Sequence, residues 1–118
     1  MKALDVISAF DKLRPNSFEY DIKKSWLTCI ETDIRRFSSL HSAQNMDFNF
    51  SLEENPTLFL DENYMDLYVY YLISMADMTN AEYRLYNISS IYFNSLFDKW
   101  KKEHRAKNKP QTNIAIKF

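Results

Sequence analysis

The chain is expected to be mainly α, a four-helix bundle-like domain with a small β-hairpin insertion and an extended C-terminal tail. Three features of the sequence point there. None of the 118 residues is glycine, apolar residues recur at helical spacing along most of the chain, and the period drops to two in only two places. The clearest stretch runs from Tyr64 to Trp100, where Tyr64, Leu67, Tyr68, Tyr71, Leu72, Met75, Tyr83, Tyr86, Ile91, Leu96, Phe97 and Trp100 fall at helical intervals with neither glycine nor proline between them. That is more aromatic surface than a lone domain of this size needs, so some of these rings are expected to meet a neighbouring subunit. Tyrosine suits that role because its apolar ring carries a polar tip that tolerates partial exposure.

The elements follow in order. A first helix is expected over about 2–13, with Leu4, Ile7, Phe10 and Leu13 three apart, and Pro15 closes it. Asn16 with Glu19 three positions later reads as a capping box for a second helix from about Phe18 to Ser38. In that helix Ile22, Trp26, Ile30, Ile34 and Phe37 make the apolar stripe, while Lys23, Lys24, Arg35 and Arg36 face solvent or a partner. Cys29 sits beside the stripe as a small packing residue.

Between Ser39 and Leu60 the period becomes two. Met46, Phe48, Phe50 and Leu52 alternate with polar residues, Glu53 to Pro56 form a turn, and Thr57 to Leu60 return, which predicts a hairpin over about 46–60. A hairpin alone is marginal in water, so it must lie on the helices or on another subunit. A third helix is expected from about Asn63 to Met78, capped by Asp61 or Asn63. Thr79 and Glu82 read as a second capping box, which implies a break, or at least a kink, before a fourth helix from Asn80 to about His104. Without glycine, Asn45 and Asn80 are the residues best suited to irregular backbone at helix ends. The helical domain spans 1–109. Residues 110–118 form an extended arm in which Ile114, Ile116 and Phe118 alternate with Asn113, Ala115 and Lys117. The core is expected to hold Trp26, Leu67, Tyr71, Leu72, Leu96 and Trp100.

One domain is all that this length supports. The apolar runs are a few residues long, well short of the roughly 20 needed to cross a bilayer, and the N-terminus lacks a signal-peptide pattern, so synthesis in a reducing cytoplasm is expected. The net charge of −1 hides a division: residues 1–98 carry 8 basic and 15 acidic side chains, whereas residues 99–118 carry 7 basic and 1 acidic. Lys101, Lys102, Arg105, Lys107 and Lys109 make the basic segment a candidate electrostatic contact for another subunit or an acidic partner. A solvated helix end whose cations complement the helix dipole explains the same charges.

Catalysis is not expected. Phosphate loops, dinucleotide turns and nucleophile elbows are built on glycine, and His41 and His104 have no cysteine at metal-ligand spacing, so no metal or cofactor is expected. Glu53 with Glu54, and Asp61 with Glu62, lie in turns where solvation and capping account for them. Nonspecific phosphate contact by the basic segment is open, and a small helical DNA-binding regulator is one alternative function.

Leu13 to Asn16 with Phe18, Trp26 with Leu27, Tyr64 to Leu72, Asn80 to Asn87 and Phe93 with Asn94 together resemble the small head-tail connector (adaptor) proteins of tailed bacteriophages, especially long-tailed phages of Gram-positive hosts. The resemblance spans about residues 8–105. Members of that group often have glycine where this chain has Ala81. It implies a virion subunit, made in the host cytoplasm, that forms a ring, typically dodecameric, beneath the portal protein. Such a ring extends the DNA channel without sequence-specific DNA binding and offers a platform to the next neck or tail protein. It also implies that the C-terminal extension engages the portal, here through Ile114, Ile116 and Phe118 added as a strand to an exposed edge. A head-closure or tail-completion protein shares that location but should be built mainly of strands.

Overall fold

The computed structural model describes residues 1–39 and 54–107, and the description below concerns those residues. Four helices run up, down, up and down: α1 (Ala3–Leu13), α2 (Tyr20–Ser39), α3 (Met65–Thr79) and α4 (Tyr83–Lys107), with a 3-10 turn, Glu62–Tyr64, leading into α3. Their ends fall close to the positions expected from periodicity, but their buried faces differ in instructive ways.

In α1 the face turned inward is Ala3, Val6, Ile7 and Phe10, whereas Leu13 is exposed. The helix starts at Lys2, whose amide donates to Asp5 Oδ2 at 3.0 Å. The box expected at Asn16 does not form. Asn16 instead accepts from the Phe18 amide in an Asx turn and donates to Asp11 and to the Arg14 carbonyl, while the Glu19 carbonyl receives the first amides of α2. Trp26, Leu27, Ile30 and Ile34 of α2 are buried, but Ile22 is exposed. Lys23, expected at the surface, is buried with its ammonium 2.8 Å from Asp11. Cys29 is exposed rather than packed.

The first arm of the expected hairpin, with Asn45 and His41, lies outside the described residues. Thr57, in the second arm, forms a single antiparallel bridge with Lys2, and the described residues contain no strand. Around it Ala3 donates to the Pro56 carbonyl and Leu58 to the Met1 carbonyl, so segment 56–60 is seated on the start of α1. Leu58 and Leu60 are buried there.

Asp61 caps the 3-10 turn by accepting from the Asn63 amide at 3.0 Å. Helices α3 and α4 are separate. α3 ends at Thr79, whose hydroxyl donates to the Met75 carbonyl, and Ala81 rather than Asn80 takes the left-handed backbone, with φ at 56°. The amide of Glu82 then donates to the Asp77 carbonyl, the closure of a helix C-terminus that normally calls for glycine at that position.

α3 is the central helix. α1 runs alongside it in the same direction, with Arg14 reaching Asp77, and α4 returns antiparallel, with Tyr71 against Phe93 and Tyr64 against Glu103. α2 also opposes α3, with Glu31 level with Tyr68. Leu67, Tyr68, Val69, Leu72, Ile73 and Ala76 of α3 are consequently buried, most of the way around the helix. Of the expected core residues, Trp26, Leu67, Leu72 and Trp100 are buried, and Tyr71 and Leu96 are partly so.

Candidate functional site

Two polar clusters inside the bundle set the outer surfaces. Glu31 is fully buried in the middle of the apolar face of α2. Its carboxylate accepts from Tyr68 Oη at 2.6 Å, the Phe59 amide at 2.7 Å and Arg35 Nε at 3.0 Å, and the Leu60 amide donates to Tyr68 Oη. This ties segment 57–60 to both α2 and α3. Burial, reinforced by the adjacent carboxylate, raises the Tyr68 phenol well above its ordinary range, so it stays protonated and keeps donating. Asp77 is the second centre. It accepts from Arg14 Nη1 at 2.5 Å and from Ser89 Oγ at 2.9 Å, joining the end of α1 to α3 and α4. A carboxylate that is buried must be paired in this way to be tolerated.

Three helices surround α3, and the sector between α1 and α4 is open. Asp66, Tyr70, Ile73 and Asp77 lie along that side of α3 at intervals of four, three and four. Arg14 and Ser89 fold over Asp77, and above them an apolar hollow of about 370 Å³ is lined by Leu13, Tyr70, Ile73, Leu85, Ile88 and Tyr92. Ile88 is 62% exposed and Leu13 58%, large values for such residues, and Ile91 at 69% is exposed on another side of α4. Farther along the same side of α4 lies a second, more polar hollow bounded by Asn63, Tyr64, Asp66, Leu96, Lys99 and Glu103. On α4 the lining residues 85, 88, 92, 96, 99 and 103 form one stripe, roughly 27 Å long at about 1.5 Å per residue. Tyr64 Oη donates to Glu103 at 2.6 Å across the lower end, and this bond, aided by desolvation, pushes the phenol up to about 12.

At that lower end the C-termini of α2 and α4 meet. Phe37 packs on Trp100 and His104, and Phe97, Trp100 and His104 stack along α4. The predicted basic residues divide here. Lys101 lies over the rings of Phe97 and Phe37, and Arg105 over Phe37, so both cations serve this aromatic cluster. Lys102 is exposed in a shallow hollow with Ile91, Asp98 and Lys99 on another side of α4, and Lys107 is exposed near the helix end. Lys109, Ile114, Ile116 and Phe118 lie outside the described residues. Among the described residues no group of three or more His, Cys, Asp or Glu could hold a metal ion, and no helix is long and apolar enough to cross a membrane.

No family model, curated protein or solved structure matches this chain. Function must therefore be read from these surfaces. Sequence spacing missed Glu31, Asp77 and Arg14. Glu31 had a detectable signal, a carboxylate placed between Ile30 and Ile34 on an apolar stripe. Asp77 and Arg14 had none, because 63 positions separate them.

Proposed function

We propose that this chain is a subunit of a head-tail connector ring of a tailed bacteriophage, a structural adaptor that docks on the portal protein. The ring, dodecameric by resemblance, extends the DNA channel and offers a platform to the next neck or tail protein. Ile114, Ile116 and Phe118 engage the portal. Lys102 and Lys107, exposed at the end of α4, carry the electrostatic contact to portal or neighbour, with Lys109 continuing the charge and Lys101 and Arg105 held on the rings beneath. The hairpin insertion expected at 46–60 belongs to the same subunit, and no catalytic or cofactor-binding role is assigned.

The observation that carries this reading is the open sector of α3. A bundle with paired buried carboxylates and an aromatic core nonetheless leaves Leu13, Leu85, Ile88 and Tyr92 exposed along one seam. A subunit designed to be completed by a neighbour has that character. The residue pattern of Tyr64–Leu72 and Asn80–Asn87 adds the resemblance to connector proteins.

The test is assembly. Purified chain mixed with tail-less, portal-bearing capsids of the encoding virus should co-sediment and add a ring at one vertex in negative stain. The double reversal Lys102→Glu with Lys107→Glu should remove that binding and leave the helical circular dichroism intact. Absence of the ring from the portal vertex, together with tight duplex DNA binding that falls steeply with salt, would replace the adaptor with a DNA-binding regulator.

A further inference from the structure

We infer that the outward stripe of α4 pairs with the same stripe of a second copy, giving a two-fold, antiparallel dimer of the free chain. The inference goes beyond the ring reading and does not depend on the groove between α1 and α4.

The stripe is Arg84, Ile88, Ile91, Ser95 and Asp98, all exposed and spaced four, three, four and three. At about 100° of turn per residue it lies roughly opposite the face that carries Ser89, Phe93 and Trp100 into the subunit. Packing of α4 on α3 therefore turns this stripe outward. Alternating steps of three and four make the seam along which two helices can lie together for several turns. Ile91 is 69% exposed, the highest value for a large apolar residue among the described ones, and Ile88, one turn back, is 62% exposed. Two isoleucines in the middle of such a seam have no role inside their own subunit.

Charge names the occupant. Arg84 stands seven positions before Ile91 and Asp98 seven after it. Neither makes an ion pair among the described residues, and about 21 Å of helix separates them within one subunit. Turning a second copy by 180° about Ile91 brings Arg84 level with Asp98 of that copy at both ends, with the isoleucines between them. An isologous contact requires this self-complementarity, in which residue i meets j and j meets i. A parallel pair would instead set Arg84 against Arg84 and Asp98 against Asp98, an arrangement that like charges disfavour. Ser95, the small residue of the stripe, lets the helices approach on either side of the isoleucines. Lys102, one turn beyond Asp98, comes level with position 80, past the start of the second copy's helix at Tyr83. It stays free for the electrostatic contact assigned to it above.

The test uses the purified full chain without capsids. Sedimentation should show a concentration-dependent rise from the monomer to the dimer mass, and Ile91→Glu should hold the chain at the monomer mass. Arg84→Asp and Asp98→Arg each place like charges at both ends, and each should raise the dissociation constant at least about tenfold. Mixing these two variants should restore dimers, because the mixed pair recovers both opposite-charge contacts, and a chain carrying both reversals should pair with itself again. In a Cys29→Ser background, Ile91→Cys should oxidise to a covalent dimer, since the axis brings the two Cα atoms within about 7 Å. Lys102→Cys, far from its counterpart across the axis, should not. All of these positions are exposed, so unchanged helical circular dichroism separates lost pairing from lost folding. A chain that is monomeric at every concentration, or a dimer indifferent to Ile91→Glu and to the mixing, would overturn the inference. Capsid binding is scored separately. Rings added to portal vertices by a chain that never dimerises would end the dimer and keep the adaptor reading, and dimers that never bind capsids would do the reverse.

Discussion

The two flanks of α3 draw on the same residue types and reach opposite states. Toward α2 the helix buries Tyr68 and Leu72, and the polar atoms there are matched, with Glu31 holding Tyr68, the Phe59 amide and Arg35. Toward the gap between α1 and α4 it offers Tyr70 and Ile73, and the neighbouring Leu13, Ile88 and Tyr92 remain partly in water. The first flank is closed because a fitted helix lies on it. The second is open because the described helices leave none to cover it, and Arg14 and Ser89 satisfy only Asp77 beneath. Burial here is limited by the number of helices rather than by hydrophobicity.

Substitutions on the two flanks should separate stability from assembly. Glu31→Ala, on the closed flank, leaves Tyr68 and the Phe59 amide without their acceptor and should cost about 3–5 kcal/mol, read from the urea midpoint at unchanged slope. Leu72→Ala should cost about 2–5 kcal/mol through the cavity it opens. Ile88→Ala on the open flank should change monomer stability by less than about 0.5 kcal/mol, yet weaken assembly on capsids. Equal losses from Leu72→Ala and Ile88→Ala would mean that the open flank is closed in the free subunit.

Alkaline pH probes both flanks together. Burial pushes the Tyr71 phenol up to about 12, with the nearby Cys29 and Asp33 side chains adding to it, and Tyr64 rises to about 12 chiefly through its bond to Glu103. The folded state therefore favours the neutral phenols. Their contribution is fully present below the ordinary value of 10 and is lost as pH rises from 10 through 12. Urea midpoints should hold steady from pH 7 to 9 and fall above 10, and Tyr71→Phe should flatten that fall. The smallest expected effect lies between the flanks. Ala81→Gly relieves the left-handed alanine and should stabilise the fold by about 0.5–1 kcal/mol, after allowing for the greater freedom of glycine in the unfolded chain.

Much of the fold was legible in the sequence because its signals are local. The spacing from Tyr64 to Trp100, the cap at Asp61 and Pro15 locate the helices to within a few residues, whereas the capping box expected at Thr79 and Glu82 does not form, since the Thr79 hydroxyl donates to Met75 and the Glu82 amide to Asp77. Where expectation and structure part, a distant residue decides. Leu13 obeys the spacing of α1 but emerges, 58% exposed, where α1 ends, and Lys23 is drawn inward by Asp11 across the α1–α2 turn. Alternation at Thr57–Leu60 marked a chain with one face buried, and the edge it met was Lys2. Among the candidate site residues, charge alone grouped Lys101 with Lys102 and Arg105 with Lys107. Only the proximity of Phe37 separates Lys101 and Arg105, which lie over its ring, from Lys102 and Lys107, and Arg105 stays exposed even there.

Composition and periodicity by themselves determined a glycine-free helical chain, an irregularity near Thr79 and the segregation of positive charge into the last residues, since each follows from interactions within a few positions along the backbone, whereas the separation of α3 from α4 is a finding of the structure. The tertiary structure decided which side chains are inside, that Glu31 and Asp77 anchor the interior, and that α3 keeps an uncovered sector. Those outcomes depend on how many helices fit around one axis and on partners such as Arg14 and Asp77, brought together from far apart in the chain. Helical spacing names a face, and only packing determines what covers it.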